Sequence, residues 1–211
     1  METEPFWQLI EDARARHAAI VASASVDCDP VAVTASALLA VRPEEAILAA
    51  QRALWALMGE SYRSPLWAAA YLINGGCSDD GFDYFRGWLI LQGREVFEQV
   101  VADPDTLAGL PVVRAAAACG EELEAESALG IAWNAYRALR GAEMPAGAFS
   151  VRYPELDQAW NFDFDDMAEM RRRLPRLVSL YSDADMDVDV DVEADADSDA
   201  PAGAARQSVV P

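Results

Sequence analysis

Apolar residues along most of this chain recur at helical spacing, and no stretch of the body alternates as a half-buried strand would. Thr3 and Pro5 open a first helix, with Phe6, Trp7, Ile10, Ala13 and His17 on one stripe. A loop is expected over 23–30. A helix is expected over 31–41, where β-branched residues give way to Ala and Leu. Pro43 starts a strong helix. Ile47, Leu54, Leu57 and Met58 form its stripe, Glu44, Glu45, Gln51 and Arg52 lie largely opposite, and Gly59 is close to its end. Pro65 begins another, carrying Leu66, Trp67, Ala70, Tyr71 and Ile73, and Gly75-Gly76 stops it. A central helix is predicted over 79–92, followed by one over 94–101. Asp103-Pro104-Asp105 breaks the chain and Pro111 marks a further turn. Residues 121–140 read as one long helix, 141–154 as a loop, and 163–174 as a short helix ending before Pro175. The pattern predicts an all-α fold: one irregular bundle of about six to eight helices over residues 1–182, with the 79–92 helix inside.

The pattern changes at Asp183. From there to Asp199 every odd position is acidic. Adjacent like charges repel, the apolar partners are mostly Ala and Val, and no aromatic is present, so 183–211 is expected to be a disordered acidic tail.

Charge narrows the partners. The net charge is −20; the tail holds nine acidic residues and Arg206 returns one charge, which leaves −12 on the body. Such a field disfavours nucleic acid and anionic membranes and favours metal ions or a protein or small ligand that is cationic. The N-terminus lacks the basic and apolar regions of a signal peptide, and no run reaches the roughly 18 apolar residues of a membrane span. Cys28, Cys77 and Cys119 are too widely spaced to read as a disulfide framework or a metal knuckle, which fits a reducing cytoplasm.

Two absences narrow the chemistry. The chain has no Lys, which removes Schiff-base and P-loop lysines, and its one histidine is His17. A multi-His zinc site is impossible, and any Ser-His-Asp arrangement would have to use that residue. Its place on an apolar stripe reads as a core or edge histidine with one hydrogen bond. No cofactor is indicated.

The most informative segment is 74–90, Asn-Gly-Gly-Cys-Ser-Asp-Asp-Gly-Phe-Asp-Tyr-Phe-Arg-Gly-Trp-Leu-Ile. It combines a glycine stop, an acidic helix start and a helix apolar almost all round, which is the pattern of a buried helix. Yet its interior carries Asp83 and Arg86. Asp79, Asp80 and Asp83 can share one face near the N-terminus, where free N–H groups attract negative charge. Three readings stand. In the first, Ser78 or Asp79 caps the helix and Asp83 pairs with Arg86 to hold packed helices in register. In the second, Asp79, Asp80, Asp83 and Arg86 build a polar binding groove edged by Trp67 and Tyr71, with Cys77 at its mouth. In the third, Asp79, Asp80 and Asp83 hold Mg²⁺ or Mn²⁺. Cys77 is read as a small buried residue rather than a nucleophile, since Asp83 stands where a phosphate-binding Arg would be needed. The carboxylates at 163, 165 and 166 read as a helix cap, and Arg171-Arg172-Arg173 with Arg176 as neutralising nearby acidic residues.

Several of these segments together resemble a bacterial domain-of-unknown-function family, number 4240. The likeness is carried by Phe6-Trp7-x-Leu9-Ile10, by Leu66-Trp67-Ala68-Ala69-Ala70-Tyr71 and by the run 75–93. Pro104-Asp105-x-Leu107-Ala108, Phe162-Asp163-Phe164-Asp165-Asp166 and Leu174-Pro175-Arg176-Leu177 extend it over about residues 3–177. It implies a domain without naming an activity, so the function rests on the residues. The leading expectation is a cytoplasmic, non-enzymatic binding or regulatory module. A divalent-metal-dependent hydrolase using the same aspartates, and an acidic mimic of nucleic acid that occupies a basic protein, are the alternatives.

Overall fold

The computed structural model describes residues 3–22, 25 and 27–182; the tail expected over 183–211 lies outside them. The described residues form twelve α-helices and two short 3-10 helices, with no strand. The helices are α1 (Glu4–Arg16), α2 (Ala18–Ala22), α3 (Asp29–Ala40), α4 (Glu44–Glu60), α5 (Ser64–Ile73), α6 (Asp79–Leu91), α7 (Arg94–Ala102), α8 (Pro111–Cys119), α9 (Glu126–Leu129), α10 (Ile131–Arg140) and α11 (Met167–Arg173), then α12 over 175–182. The 3-10 helices are Pro104–Gly109 and Gln158–Trp160. The all-α class holds, but the helices outnumber the six to eight expected, because short breaks divide what the periodicity joins.

Helix α6 is the axis of the molecule. Phe82, Phe85, Trp88, Leu89, Ile90 and Leu91 are all fully buried, so it has no solvent-facing stripe after its first turns. It packs against α4, α5, α7 and α9, while α3 packs against α1 and α10. Gly93 permits the tight turn into α7: its φ is 93°, a region that costs side-chain-bearing residues energy. His17 follows α1, and its Nε2 lies 2.7 Å from the Thr34 hydroxyl, the single hydrogen bond expected of it.

The long helix read over 121–140 is corrected. Residues 121–125 are not helical, and helix resumes only in α9 and α10 on either side of Gly130. The reason is tertiary. The Leu123 N–H donates to Asn74 Oδ1 at 3.0 Å, and the Ala125 N–H donates to the Tyr84 carbonyl at 3.0 Å. These bonds pull the segment across α6, and Leu123 is fully buried there. The approach is possible because position 87 is glycine: a Cβ there would stand 2.6 Å from the Ala125 carbonyl oxygen. Pro111, expected to mark a turn, instead opens α8 from a first-turn position it tolerates.

Asp105 joins the C-terminal helix to the body. Its buried carboxylate accepts the Arg176 N–H at 3.0 and 3.1 Å and the Leu177 N–H at 3.0 Å, so it caps α12 from 71 residues away. Asp105→Ala is expected to cost about 2 kcal/mol in urea unfolding, because it strands buried N–H donors. Asp105→Asn, which keeps one acceptor, is expected to cost less.

Candidate functional site

The site is built on the first two turns of α6. Ser78 is the N-cap, its hydroxyl accepting the Gly81 N–H at 3.1 Å. Asp79 and Asp80 occupy the exposed first turn, where the free backbone N–H groups favour negative charge. One turn further, the chain turns inward at Arg86, whose residue exposure is 0%. A guanidinium taken out of water must find partners for its donors. Its Nε donates to the Phe82 carbonyl at 3.2 Å and its Nη1 to the Met58 carbonyl of α4 at 2.5 Å. Its Nη2 donates to Asp83 Oδ1, closing an ion pair. The guanidinium carbon stands 4.5 Å from the ring centre of Phe82, 5.1 Å from that of Tyr62 and 5.2 Å from that of Tyr153.

Tyr153 belongs to a long strap over 141–166, whose only helix is the Gln158–Trp160 turn. It stacks on Tyr62 with centroids 4.4 Å apart, and its hydroxyl reaches the two Asp83 oxygens at 3.3 and 3.4 Å. Phe149 stacks on Trp55 with an interplanar angle of 5°. The strap thus roofs the Asp83–Arg86 pair with the Tyr153 side chain. Burial lifts the Asp83 carboxyl above the usual range, with Asp80 adding to the rise; Arg86 and the Tyr153 hydroxyl pull it back without cancelling it.

The expected residues are therefore only partly gathered. Asp83 and Arg86 face each other. Trp67 stacks on Phe82 at 4.7 Å, and its indole N–H donates to the Cys77 carbonyl at 3.0 Å, so both support the Arg86 cage from behind. Tyr71 turns elsewhere: its hydroxyl donates to Asp165 Oδ1 at 2.7 Å and its ring meets Phe164 edge-on. Tyr62, Tyr153 and the Met58 carbonyl complete the cage and carry no local sequence signal. Asp166 caps α11, accepting from the Ala168 and Glu169 N–H groups, and Arg172 and Arg173 pair with Glu169, holding its carboxyl down to about 2.

The arrangement does not fit a cation held by Asp79, Asp80 and Asp83. Asp83 is turned onto Arg86 and Tyr153, and among the described residues no three His, Cys, Asp or Glu side chains gather as metal ligands would. Cys77 is half-buried, and burial followed by the Glu124 charge pushes its thiol from 9.0 to about 12. Cys28 is pushed to about 12 as well, by burial and then Asp29. Thiolate is the reactive form, so an alkylating reagent at pH 8 is expected to label exposed Cys119 first and Cys28 and Cys77 far more slowly, read by peptide mass mapping. The same shifts give a sign for stability. Between pH 9 and about 12 the unfolded chain releases these thiol protons while the folded chain keeps them. The unfolded state is then the more deprotonated, and stability falls as pH rises through that window.

Outside the cage, carboxylates gather. The non-helical residues 121–125 bring Glu124 over the start of α6, where a Cβ on Gly81 would lie 3.3 Å from its carboxylate. Asp29, Tyr84, Glu124, Glu126, Ser127 and Asn134 line an open groove of about 540 Å³. Burial and then Glu122 lift the Glu124 carboxyl. The Tyr84 hydroxyl is raised by Glu126 first, then by burial and by Asp80, Glu124 and Asp83. Among the described residues no ion pair joins an Arg to Asp79, Asp80, Glu122, Glu124 or Glu126.

No helix among the described residues is long and apolar enough to cross a membrane. No curated protein and no solved structure matches the chain. A family model described as "Protein of unknown function (DUF4240)" matches residues 1–138. That span holds the Phe6-Trp7 start, the Leu66–Tyr71 motif, the whole of α6 and the 121–125 crossing; the strap with Tyr153 and the motifs at 162–166 and 174–177 follow it. On a match over more than half its length, the chain belongs to the DUF4240 family.

Proposed function

We propose that the chain is a non-enzymatic binding module for a cationic partner, with a basic protein segment as the fitting class. Recognition lies on the acidic face beside the α6 N-terminus. The observation that carries this is a division of charge. Arg86 is turned wholly inward, while Glu124 and Glu126 line the Tyr84 groove, the charges of Asp80 and Glu122 reach its tyrosine and Glu124, and among the described residues no arginine pairs with any of the four. Carboxylates concentrated at a concave surface attract cations and speed their encounter. A DNA-binding protein occupied by an acidic surface is one member of that partner class. The hydrolase reading finds no support in the arrangement of the aspartates or in the raised thiol of Cys77.

The test is a titration of the full chain with decalysine, compared with an Asp80→Asn/Glu124→Gln variant at the same low ionic strength. The variant is expected to bind roughly fivefold to tenfold more weakly, two exposed pairings being lost, and added salt should shrink the difference. The acidic stretch 183–199 attracts polycations on its own account, so the comparison between the two proteins carries the result. Equal affinity would remove this face from recognition.

A further inference from the structure

A second recess lies between α5 and the strap, lined by Ser64, Trp67, Asp157, Trp160, Phe162 and Phe164 among others, with a volume of about 310 Å³. We propose that it binds a methylated ammonium head, of the kind carried by choline-like molecules and by trimethylated lysine. The inference deepens the reading of the chain as a module for cationic partners and rests on it, but it names a different pocket and a narrower chemistry.

Three observations support it. First, four aromatic side chains from two separate elements meet in one cleft. The negative faces of such rings attract cations, and a quaternary ammonium suits them because it gives up little hydration. Second, rings of this cleft already accept a cation within the fold. The Arg173 guanidinium stands 4.7 Å from the Trp160 ring centre and 4.9 Å from that of Phe162. Third, carboxylates stand at the cleft, while the Arg173 charge is paired with Glu169. Asp157 lines the cleft; one of its oxygens caps the 158–160 turn by accepting the Ala159 N–H at 2.9 Å, which leaves the other for a ligand. Asp165 is held beside the Phe164–Tyr71 contact by the Tyr71 hydroxyl. No Arg is among the lining residues. A sugar or a proline-rich segment could also stack on such rings, but neither would draw on the charge.

The experiment follows the Trp indole N–H signals of the full chain by NMR during titration with choline, with its neutral isostere 3,3-dimethylbutanol, and with a short peptide carrying trimethyl-lysine. Choline is expected to saturate. The isostere should bind about fivefold or more weakly, since it keeps the shape and loses the charge. Phe164→Leu, which keeps apolar bulk without a π face, and Asp157→Asn, which keeps the cap without the charge, should each weaken choline several-fold with the helical circular dichroism unchanged. A peptide that binds more tightly than choline assigns the source to a protein side chain, and equal affinity assigns it to a free small molecule; both support the proposal. No saturable choline effect, equal binding of the isostere, or full affinity in Phe164→Leu overturns it. Decalysine binding to Phe164→Leu separates this failure from failure of the acidic-face reading, since that affinity depends on Asp80 and Glu124.

Discussion

Arg86→Ala is expected to lower the unfolding free energy by about 3–5 kcal/mol, the range for breaking a buried ion pair by removing one partner. The substitution deletes a guanidinium with 0% exposure. It leaves the Met58 carbonyl with only the longer 3.3 Å bond from the Ser61 hydroxyl, and takes the counter-charge from Asp83, whose side chain is only 26% exposed. It also empties the space between Tyr62, Phe82 and Tyr153, adding the cost of a cavity. Arg86→Lys should recover little, because an ammonium cannot serve in one plane the three directions that Nε, Nη1 and Nη2 now serve. Arg86→Met should recover more, since it refills the volume with apolar atoms. Urea unfolding followed by circular dichroism measures all three. A loss below about 1 kcal/mol for Arg86→Ala would mean that exposed groups, rather than this cage, hold α6 to α4.

The second large effect is expected at Gly87. Gly87→Val should cost about 2–3 kcal/mol, the upper part of the range for forcing extra volume into a closed contact. A Cβ there meets the Ala125 carbonyl oxygen at 2.6 Å and the Ala128 Cβ at 3.1 Å. The first of these atoms is backbone, held in place by the Ala125 N–H bond to Tyr84, so it cannot swing aside as a long side chain would. Helix propensity works the other way, since replacing an interior glycine gains up to about 1 kcal/mol. Gly87→Ala is therefore the milder probe. Because residues 121–125 carry Glu124 to the acidic face, Gly87→Val should also weaken decalysine binding even where the protein stays folded. A variant as stable as the parent would show that the crossing segment can move freely.

Much of the fold was readable from the chain because helices declare themselves locally. The three-residue spacing of Asp83 and Arg86 placed them within reach of each other, and their pairing follows. The full burial of α6 beyond its first turns follows from apolar residues on all its sides. What stayed hidden depends on residues far apart in sequence. Nothing near position 123 announces that Asn74 will draw its N–H out of a helix. Nothing near Tyr153 announces Arg86, 67 positions earlier by residue number, because a loop's composition does not give its course. Tyr71 misled for a related reason. It lies four residues after Trp67 and so on the same side of α5, but its hydroxyl is claimed by Asp165 at the end of the strap.

The strap also accounts for how the central motif divides its charges. By covering Arg86 with Tyr153, it leaves carboxylates as the exposed ionic groups of the first α6 turn. The domain then presents one sign of charge beside a polar groove, while the buried guanidinium of Arg86 serves internal order.

The most direct test of this account is a map of backbone amide shifts in the full chain as decalysine is added. The account predicts that the largest changes within the folded part cluster at Asp79, Asp80, Tyr84, Glu124 and Ser127, and that the Arg86 Nε–H signal stays in place. Changes confined to residues beyond 182, with this cluster still, would contradict it.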